Sequence, residues 1–306
     1  MALIIGVDVG GTNLRIGVVE DARIVHLQSL HTDFARLFRG NPANIAWTRI
    51  VDTIANPLAE MLRLYPQVSS IGIGFPGFID PINKVVLQSP NLPGLYRVDL
   101  ASDLSTRLGK LVIVENDAAA AAYGEFRLSA NEESLIYFGL GTGVGGGLVL
   151  GGQPYTGQRG AAMEVGHMIV DYTSTARQCG CGTRGCLEQY ASASGVIQSY
   201  TLATGVEVDT IQIAQLGREG DINARAAFEL AGSYLAQAIA HLAKVLDVSQ
   251  VVIGGGLSNA WDLMEAAFND RLQNDMIPAL RRNVAVRVSA SGDQAGIIGA
   301  ALLSEF

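Results

Sequence analysis

Apolar residues run in short, β-branched blocks through the first part of the chain, and each block stops at a polar or glycine-rich turn. Residues 3–9 and 14–19 are two such blocks separated by Gly10-Gly11-Thr12-Asn13, so the pattern predicts a strand, a glycine turn and a second strand. Between residues 42 and 65 the spacing changes. Ile45, Ile50, Ile54, Leu58, Met61 and Leu62 recur at helical intervals, and Pro57 is expected to kink or break that helix. Further strands are expected at 70–75, 111–114, 134–138, 148–150, 251–253 and 284–288, and helices at 99–108, 118–126, 221–246, 259 to about 274, and 295–303. In the longest helix Ala227, Leu230, Ala231, Tyr234, Ala238, Leu242 and Val245 form one stripe, with His241 beside it as a structural residue. Strands alternating with helices make this an α/β chain.

Length and composition narrow the picture. At 306 residues the chain exceeds a typical single core, which points to two domains. Thirty-six glycines without a collagen period imply many tight turns and close backbone approaches. A net charge of −8, from 21 basic and 29 acidic residues, argues against a nucleic-acid-binding surface. The first six residues carry no basic segment and lead directly into a strand pattern, so no signal peptide and a cytoplasmic location are expected. Residues 135–152 are uncharged, yet eight of them are glycine, which favours strands around a turn over a membrane span.

The chemistry-bearing residues cluster most tightly near the middle. Cys179, Cys181 and Cys186, all the cysteines of the chain, fall within eight residues, and His167 lies twelve positions ahead of the first. Four such donors are what a closed, structural Zn²⁺ site uses, and Gly180, Gly182 and Gly185 let the loop bend around an ion. Three buried thiols beside a core histidine are the alternative, and a disulfide framework leaves one thiol over. Glu164 and Glu188 flank the loop as acceptors for the hydroxyls of a polyol. A metal-bound His167 presents its second ring nitrogen as a further donor.

Phosphate-type turns occur twice. Asp8 ends the first strand, where the turn's N–H groups and the Thr12 hydroxyl suit a phosphate and the carboxylate suits Mg²⁺; a plain hairpin turn is the alternative. Gly141-Thr142-Gly143 repeats the device. Gly141, Gly143 and Gly146 match a dinucleotide fingerprint, but the match leads into a strand instead of a helix, and no P-loop signature occurs. Two such turns suggest a duplicated architecture with nucleotide held between the halves. Gly254-Gly255-Gly256 ends another strand in bare backbone, which suits either a flat adenine or ribose or a plain turn. Glu115-Asn116-Asp117 sits where a strand hands over to a helix, the usual place for a site in an α/β sheet and also a place for a helix cap. The proline-rich segment 89–94 can aim Asn91.

These residues in this order resemble the ROK family of sugar kinases and related repressors. The quoted motifs are Asp8 to Asn13, Glu115 to Asp117, Leu140 to Gly147, Glu164 to His167, the cysteine loop to Glu188, and Gly254 to Leu257. The resemblance implies a two-domain actin-like, hexokinase-like ATPase fold of the ribonuclease H-like class, with the active-site cleft between the domains. Residues 1–117 with 296–306 would form the small domain, and 118–295 the large one carrying the zinc loop. It further implies that Asp117 is the catalytic base and that Asn91, Asn116, Asp117, Glu164, His167 and Glu188 contact sugar. Asp8, Gly10, Gly11, Thr12, Asn13, Gly141, Thr142 and Gly143 would serve phosphate and Mg²⁺, and Gly254, Gly255, Gly256 and Leu257 would lie against adenosine.

The implied reaction is ATP-dependent phosphorylation of the primary 6-hydroxyl of a hexose, glucose first, by a homo-oligomer, a dimer or tetramer. Allose, mannose, N-acetylglucosamine and N-acetylmannosamine are the alternative sugars. Leu95 stands where glucokinases of the family often have an aromatic. A sugar-responsive regulator is the other class of reading. Regulators carry a DNA-binding segment ahead of the first strand, whereas two residues precede Leu3 here and both Asp8 and Asp117 are present.

Overall fold

The computed structural model describes residues 3–10, 13–34, 36, 41–89, 92, 94–129 and 133–305. Gly11, Thr12 and Asn91 lie outside the described residues. In chain order the first elements are β1 (Leu3–Val9), β2 (Asn13–Glu20), β3 (Arg23–His31), α1 (Ala43–Leu64), β4 (Val68–Phe75), the short strands β5 (Phe78–Ile79), β6 (Val86–Gln88) and β7 (Tyr96–Val98), then α2 (Leu100–Leu108), β8 (Leu111–Asn116) and α3 (Asp117–Leu128). They are followed by β9 (Leu135–Leu140), β10 (Val144–Leu150), β11 (Gln153–Pro154), α4 (Glu188–Ala191), α5 (Ala193–Thr204), α6 (Thr210–Glu219), α7 (Ile222–Leu246), β12 (Gln250–Gly254), α8 (Trp261–Asp275), β13 (Ala285–Val288) and α9 (Gln294–Leu303). No described helix is long and apolar enough to cross a membrane.

The chain divides into two compact units. Unit one is Met1–Glu133, Gly147–Ala162 and Asp293–Phe306; unit two is Ser134–Gly146 and Met163–Gly292. Contact therefore groups α3 and residues 147–162 with unit one, whereas the expected division assigns them to the larger domain. The physical cause is visible at Gly147, where a Cβ would stand 2.6 Å from the Ala118 carbonyl oxygen of α3 and run into Ala122. The same packing corrects an expected boundary. Residues 144–147 were expected in a glycine turn but are strand, and glycine stands there because another element lies directly against the backbone.

Unit one is built on a sheet of order β3-β2-β1-β4-β8. β1 and β2 are antiparallel, as are β2 and β3, while β1, β4 and β8 run parallel. Ile5, Val7, Ile71, Ile73, Val112 and Val114 share one core with Ile50, Ile54, Leu58 and Met61 of α1 and Leu104 of α2. Each such side chain contributes about 1.5–3 kcal/mol on burial. That burial explains why α1 continues as one helix through Pro57, whose ring is buried, so the expected break does not occur. A separate cluster joins Ile297 and Ala301 of α9 to Ile4 and Val19, and the Ser70 and Ser304 hydroxyls meet at 2.8 Å. β3 was not foreseen. It is an edge strand with Val25 and Leu27 exposed, so its apolar residues form no continuous block, and only Ile24 and Leu30 turn toward the cores.

In unit two β12 pairs in parallel with β9 and with β13. α7 is wrapped by α4, α5, α6 and α8. Its burial departs from the single expected stripe. Residues 235–240 are buried all round, Phe228 joins them, and Val245 is 78% exposed. A helix surrounded by other helices loses the one-sided pattern from which the stripe was read.

Candidate active site

Parallel pairing decides which residues share an edge in unit one. Asp8 of β1 lies opposite Gly74 of β4, and Phe75 of β4 opposite Asn116 of β8. Asp8, Asn116 and Asp117 are thus delivered to the carboxyl end of one parallel set, where α/β sheets place their ligands. Asp8 receives a hydrogen bond from Arg15 Nη1 at 3.1 Å, and the other guanidinium nitrogen, Nη2, pairs with Asp293 at 2.7 Å. Burial raises the Asp8 pKa despite the opposing pull of Arg15. Gly10 N–H closes the turn on the Asn13 carbonyl at 2.8 Å.

At the end of β8 the capping question has a definite answer. Asn116 is the N-cap of α3, its Oδ1 accepting the Ala119 N–H at 3.0 Å, while its Nδ2 donates to the Gly77 carbonyl at 3.1 Å. Asp117 is the first helical residue, and its Oδ1 accepts the adjacent Ala118 N–H at 2.9 Å. The preceding Glu115, 6% exposed, accepts Lys84 Nζ at 2.8 Å and the Asn116 N–H at 3.0 Å. Lys84 was not singled out in the sequence. It comes from a turn whose N–H groups are held by Asp80, and only the fold carries it to Glu115.

Unit two brings its two glycine turns together in the same way. Gly139 lies opposite Gly254 in the parallel β9–β12 pair, so Gly141-Thr142-Gly143 and Gly254-Gly255-Gly256 leave neighbouring strands at their carboxyl ends. Gly141 N–H donates to the Gly143 carbonyl at 2.9 Å, and Thr142 is exposed. Gly256 has open space on its Cβ side, whereas Gly254 is packed under Tyr137 and Leu257 is buried. Of that run, Gly256 is the part with its backbone face open.

The cysteine loop folds back on itself. Cys179 N–H donates to the Thr183 carbonyl at 2.9 Å, Gly182 and Gly185 take positive φ, and Ile169 bridges to Cys186 in antiparallel fashion. These turns bring the donor atoms of His167, Cys179, Cys181 and Cys186 within 4.8 Å of one another. Cys179 Sγ is 3.7 Å from His167 Nδ1, and Cys181 Sγ is 3.6 Å from Cys186 Sγ. A tetrahedral Zn²⁺ with ordinary bond lengths needs donor separations of about 3.3–3.8 Å, so the donor set fits that ion. The three cysteines form no disulfide. The Thr183 hydroxyl and then its N–H hold the Cys181 thiol down to about 6, while burial pushes Cys186 up to about 12.

Around this cluster lie the two expected carboxylates. His167 Nδ1 faces Cys179, and Nε2 is 3.8 Å from Glu164 Oε2. Burial raises the Glu164 pKa; His167 opposes this and the charge of Glu188 adds to it, so the two carboxylates feel each other. Glu188 opens α4. Its Oε2 accepts the Val144 N–H at 3.3 Å and lies where a Cβ on Gly143 would be. The carboxylate that follows the cysteine loop therefore lies against the Gly141-Thr142-Gly143 turn.

The chain matches the ROK family over residues 4–305. It belongs to the ROK family. It is similar to a glucokinase from Thermotoga maritima, 32% identical over 315 residues that cover 97% of this chain and 96% of the relative. An N-acetyl-D-glucosamine kinase from Salmonella paratyphi B is 31% identical over 310 residues, covering 97% of this chain and 98% of that one. Among solved structures it is similar to a ROK family glucokinase from Streptomyces griseus in complex with glucose and AMPPNP, with a TM-score of 0.82, 31% identity and 99% of each chain covered. The fold is the two-domain actin-like ATPase fold of ROK sugar kinases.

Within this ROK chain the sequence missed the polar residues that support the site. Arg15 and Asp293 are far apart in sequence yet bracket Asp8, and Arg177, Tyr190 and Asp171 form a network beside the cysteine loop. An arginine inside the otherwise apolar start of β2 was the available signal for the first. No spacing links Arg177 to Tyr190.

Proposed function

We propose that this chain is an ATP-dependent hexose kinase that phosphorylates the primary 6-hydroxyl, with glucose as the preferred sugar. The observation that carries the reading is at the start of α3, where Asn116 is the N-cap and Asp117 is the first helical residue, at the end of a parallel strand. An aspartate at the carboxyl end of a parallel strand that is not the helix cap is suited to act as general base. Asp117 takes the proton of the 6-hydroxyl as that oxygen attacks the γ-phosphate in line. Glu164, Glu188 and the second ring nitrogen of His167 hold hydroxyls of the sugar, with Asn91 and Asn116 as further contacts. Asp8, Gly10, Gly11, Thr12 and Asn13 with Gly141, Thr142 and Gly143 receive the phosphates, and Gly254–Leu257 lie against adenosine. Mg²⁺, when bound, neutralises charge on the transferring group, and Asp8 is the residue that would hold it. His167, Cys179, Cys181 and Cys186 would hold Zn²⁺, which fixes the loop and takes no part in the chemistry.

The similarity at 31–32% identity to both a glucokinase and an N-acetylglucosamine kinase supports hexose as the substrate class. The choice of glucose rests on the combination of Glu164, Gly166 and His167 with residues 90–94, and kcat/KM across a panel of hexoses and N-acetylhexosamines tests it. Asp117→Asn tests the mechanism. Turnover should fall by roughly 10²- to 10⁴-fold in a folded protein that still binds hexose and ATP. Retention of more than about a tenth of the turnover, a loss smaller than a general base accounts for, means that the base is another group.

A further inference from the structure

The four metal-type donors all lie between residues 167 and 186, so an ion there closes the loop on itself. Something else must fasten the loop to α4, which carries Glu188, and to α5 beyond it. Arg177 makes most of the side-chain part of that connection, with Tyr190 beside it. Arg177 Nη1 donates to the Gln189 carbonyl of α4 at 2.5 Å and to the Gly195 carbonyl of α5 at 3.1 Å, and Nη2 donates to Ser199 Oγ of α5 at 2.9 Å. Its guanidinium carbon stands 4.5 Å from the centroid of the Tyr190 ring. The Arg177 N–H donates to Tyr190 Oη at 3.0 Å, and that hydroxyl donates to Asp171 Oδ2 at 2.6 Å. The Arg177 carbonyl accepts the Gly185 N–H, next to Cys186. Tyr190 is buried and tilted against Tyr234 of α7, so the anchor is itself packed into unit two.

We propose that Arg177 is a positioning residue for the hexose site, fastening the cysteine loop to α4 and α5 and thereby holding Glu188 in place by a route separate from the metal. The proposal rests on the reading of Glu188 as a hexose contact. A planar fork that donates to three acceptors while lying on an aromatic face is a task for arginine, which lysine performs only in part. Gln189 follows Glu188 directly, so loss of the fork frees the turn that aims the carboxylate. Glu188 is in addition held at its carboxylate by Val144 N–H and at its carbonyl by Ser192 Oγ, which donates at 2.6 Å; these bonds tie it to the glycine turn and to the start of α5, and Arg177 ties the same stretch to the cysteine loop.

The test uses zinc-loaded, full-length Arg177→Met, whose apolar chain still packs on Tyr190, and Arg177→Lys as a second variant should the first fail to fold. Circular dichroism and thermal melting establish folding. In a folded variant KM for hexose should rise about tenfold, the size expected for lost charge-assisted hydrogen bonds, while KM for ATP stays within about twofold. Transfer of zinc to a chromogenic chelator should be faster by a similar factor, with the lysine variant between the extremes. Where Glu188→Gln raises hexose KM, a folded Arg177 variant with wild-type hexose KM overturns the proposal, even if zinc transfer is faster. Glu188→Gln separates the two levels. If it leaves hexose KM unchanged, the reading of Glu188 fails, and zinc transfer from Arg177→Met alone then decides whether Arg177 fastens the loop.

Discussion

The carboxyl edge of the unit-one sheet and the cysteine loop of unit two place their carboxylates by opposite means. Asp8 and Asp117 are aimed by strand register, with the apolar residues of three parallel strands and α1 buried behind them. Glu164 and Glu188 are aimed by a loop that has no large apolar residue between Tyr172 and Cys186. What holds that loop is polar: a His and three Cys donors gathered at one point, Arg177, and a few backbone bonds. The difference teaches where each site is vulnerable. Register supported by a core tolerates changes in its polar residues, because those residues do not hold the backbone. A loop without a core loses its geometry when any of its polar fastenings is removed.

The largest break in this symmetry should come from removing the proposed zinc. Chelation should raise KM for hexose by roughly 10- to 100-fold, the scale on which metal-site disruption acts, and readdition of zinc should restore it. The unit-one core should be untouched, so its amides should keep their hydrogen-exchange protection. An unchanged hexose KM after verified metal loss refutes the view that the ion supports the sugar platform.

A smaller and more local change should follow from Gly143→Ala. Its Cβ runs into Glu188 Oε2, the movable end of a side chain, so the protein should fold while Glu188 shifts. Hexose KM should rise by about tenfold, as for a lost hydrogen bond to a charged group, and more than ATP KM does. Thr142→Val, which removes an exposed hydroxyl beside it, should do the reverse and weaken ATP use with little effect on hexose. Steady-state kinetics with each substrate varied in turn distinguish the two patterns.

The smallest effect should be at Asp8. Burial raises its folded pKa above the ordinary 3.8, so between these two values the native protein binds more protons than the unfolded chain. The contribution of Asp8 to stability is therefore present below the unfolded pKa and lost as pH rises through the folded one. Asp8→Asn should flatten that decline and leave stability near neutral pH within about 1 kcal/mol of wild type or above it. Thermal melts from pH 4 to 8 measure the slope. A steeper decline in the variant contradicts the assignment.

Most strand and helix positions were legible in the sequence because long apolar runs dominate their own burial: β1, β4, α1 and α9 all fall close to where periodicity places them. β3 was not, because its burial alternates while its apolar residues fall on both faces, and α7 was only half legible, because surrounding helices bury its middle on all sides. The cysteine cluster was legible for a different reason. Its donors are close in sequence, so spacing and geometry carry the same information. The Asp8 turn and the Asn116-Asp117 corner were legible as candidates, yet only the hydrogen bond from Ala119 N–H to Asn116 Oδ1 decided which of the two adjacent residues is the cap.

What the sequence determined by itself was the set of local devices: glycine turns after strands, a four-donor loop, and polar residues at strand ends. Each depends on chain neighbours within a turn or two, and short-range sterics and donor spacing specify them. Tertiary structure alone decided the partners that arrive from elsewhere. Gly139 stands opposite Gly254, so two glycine turns share one edge; Asp293 reaches Arg15 from the far end of the chain; and Arg177 finds Tyr190 and the carbonyls of α4 and α5. The physical reason is that a hydrogen bond or ion pair is directional and short-ranged. It leaves no periodic trace in the sequence, and it forms only where burial of the apolar residues has already brought the two segments together.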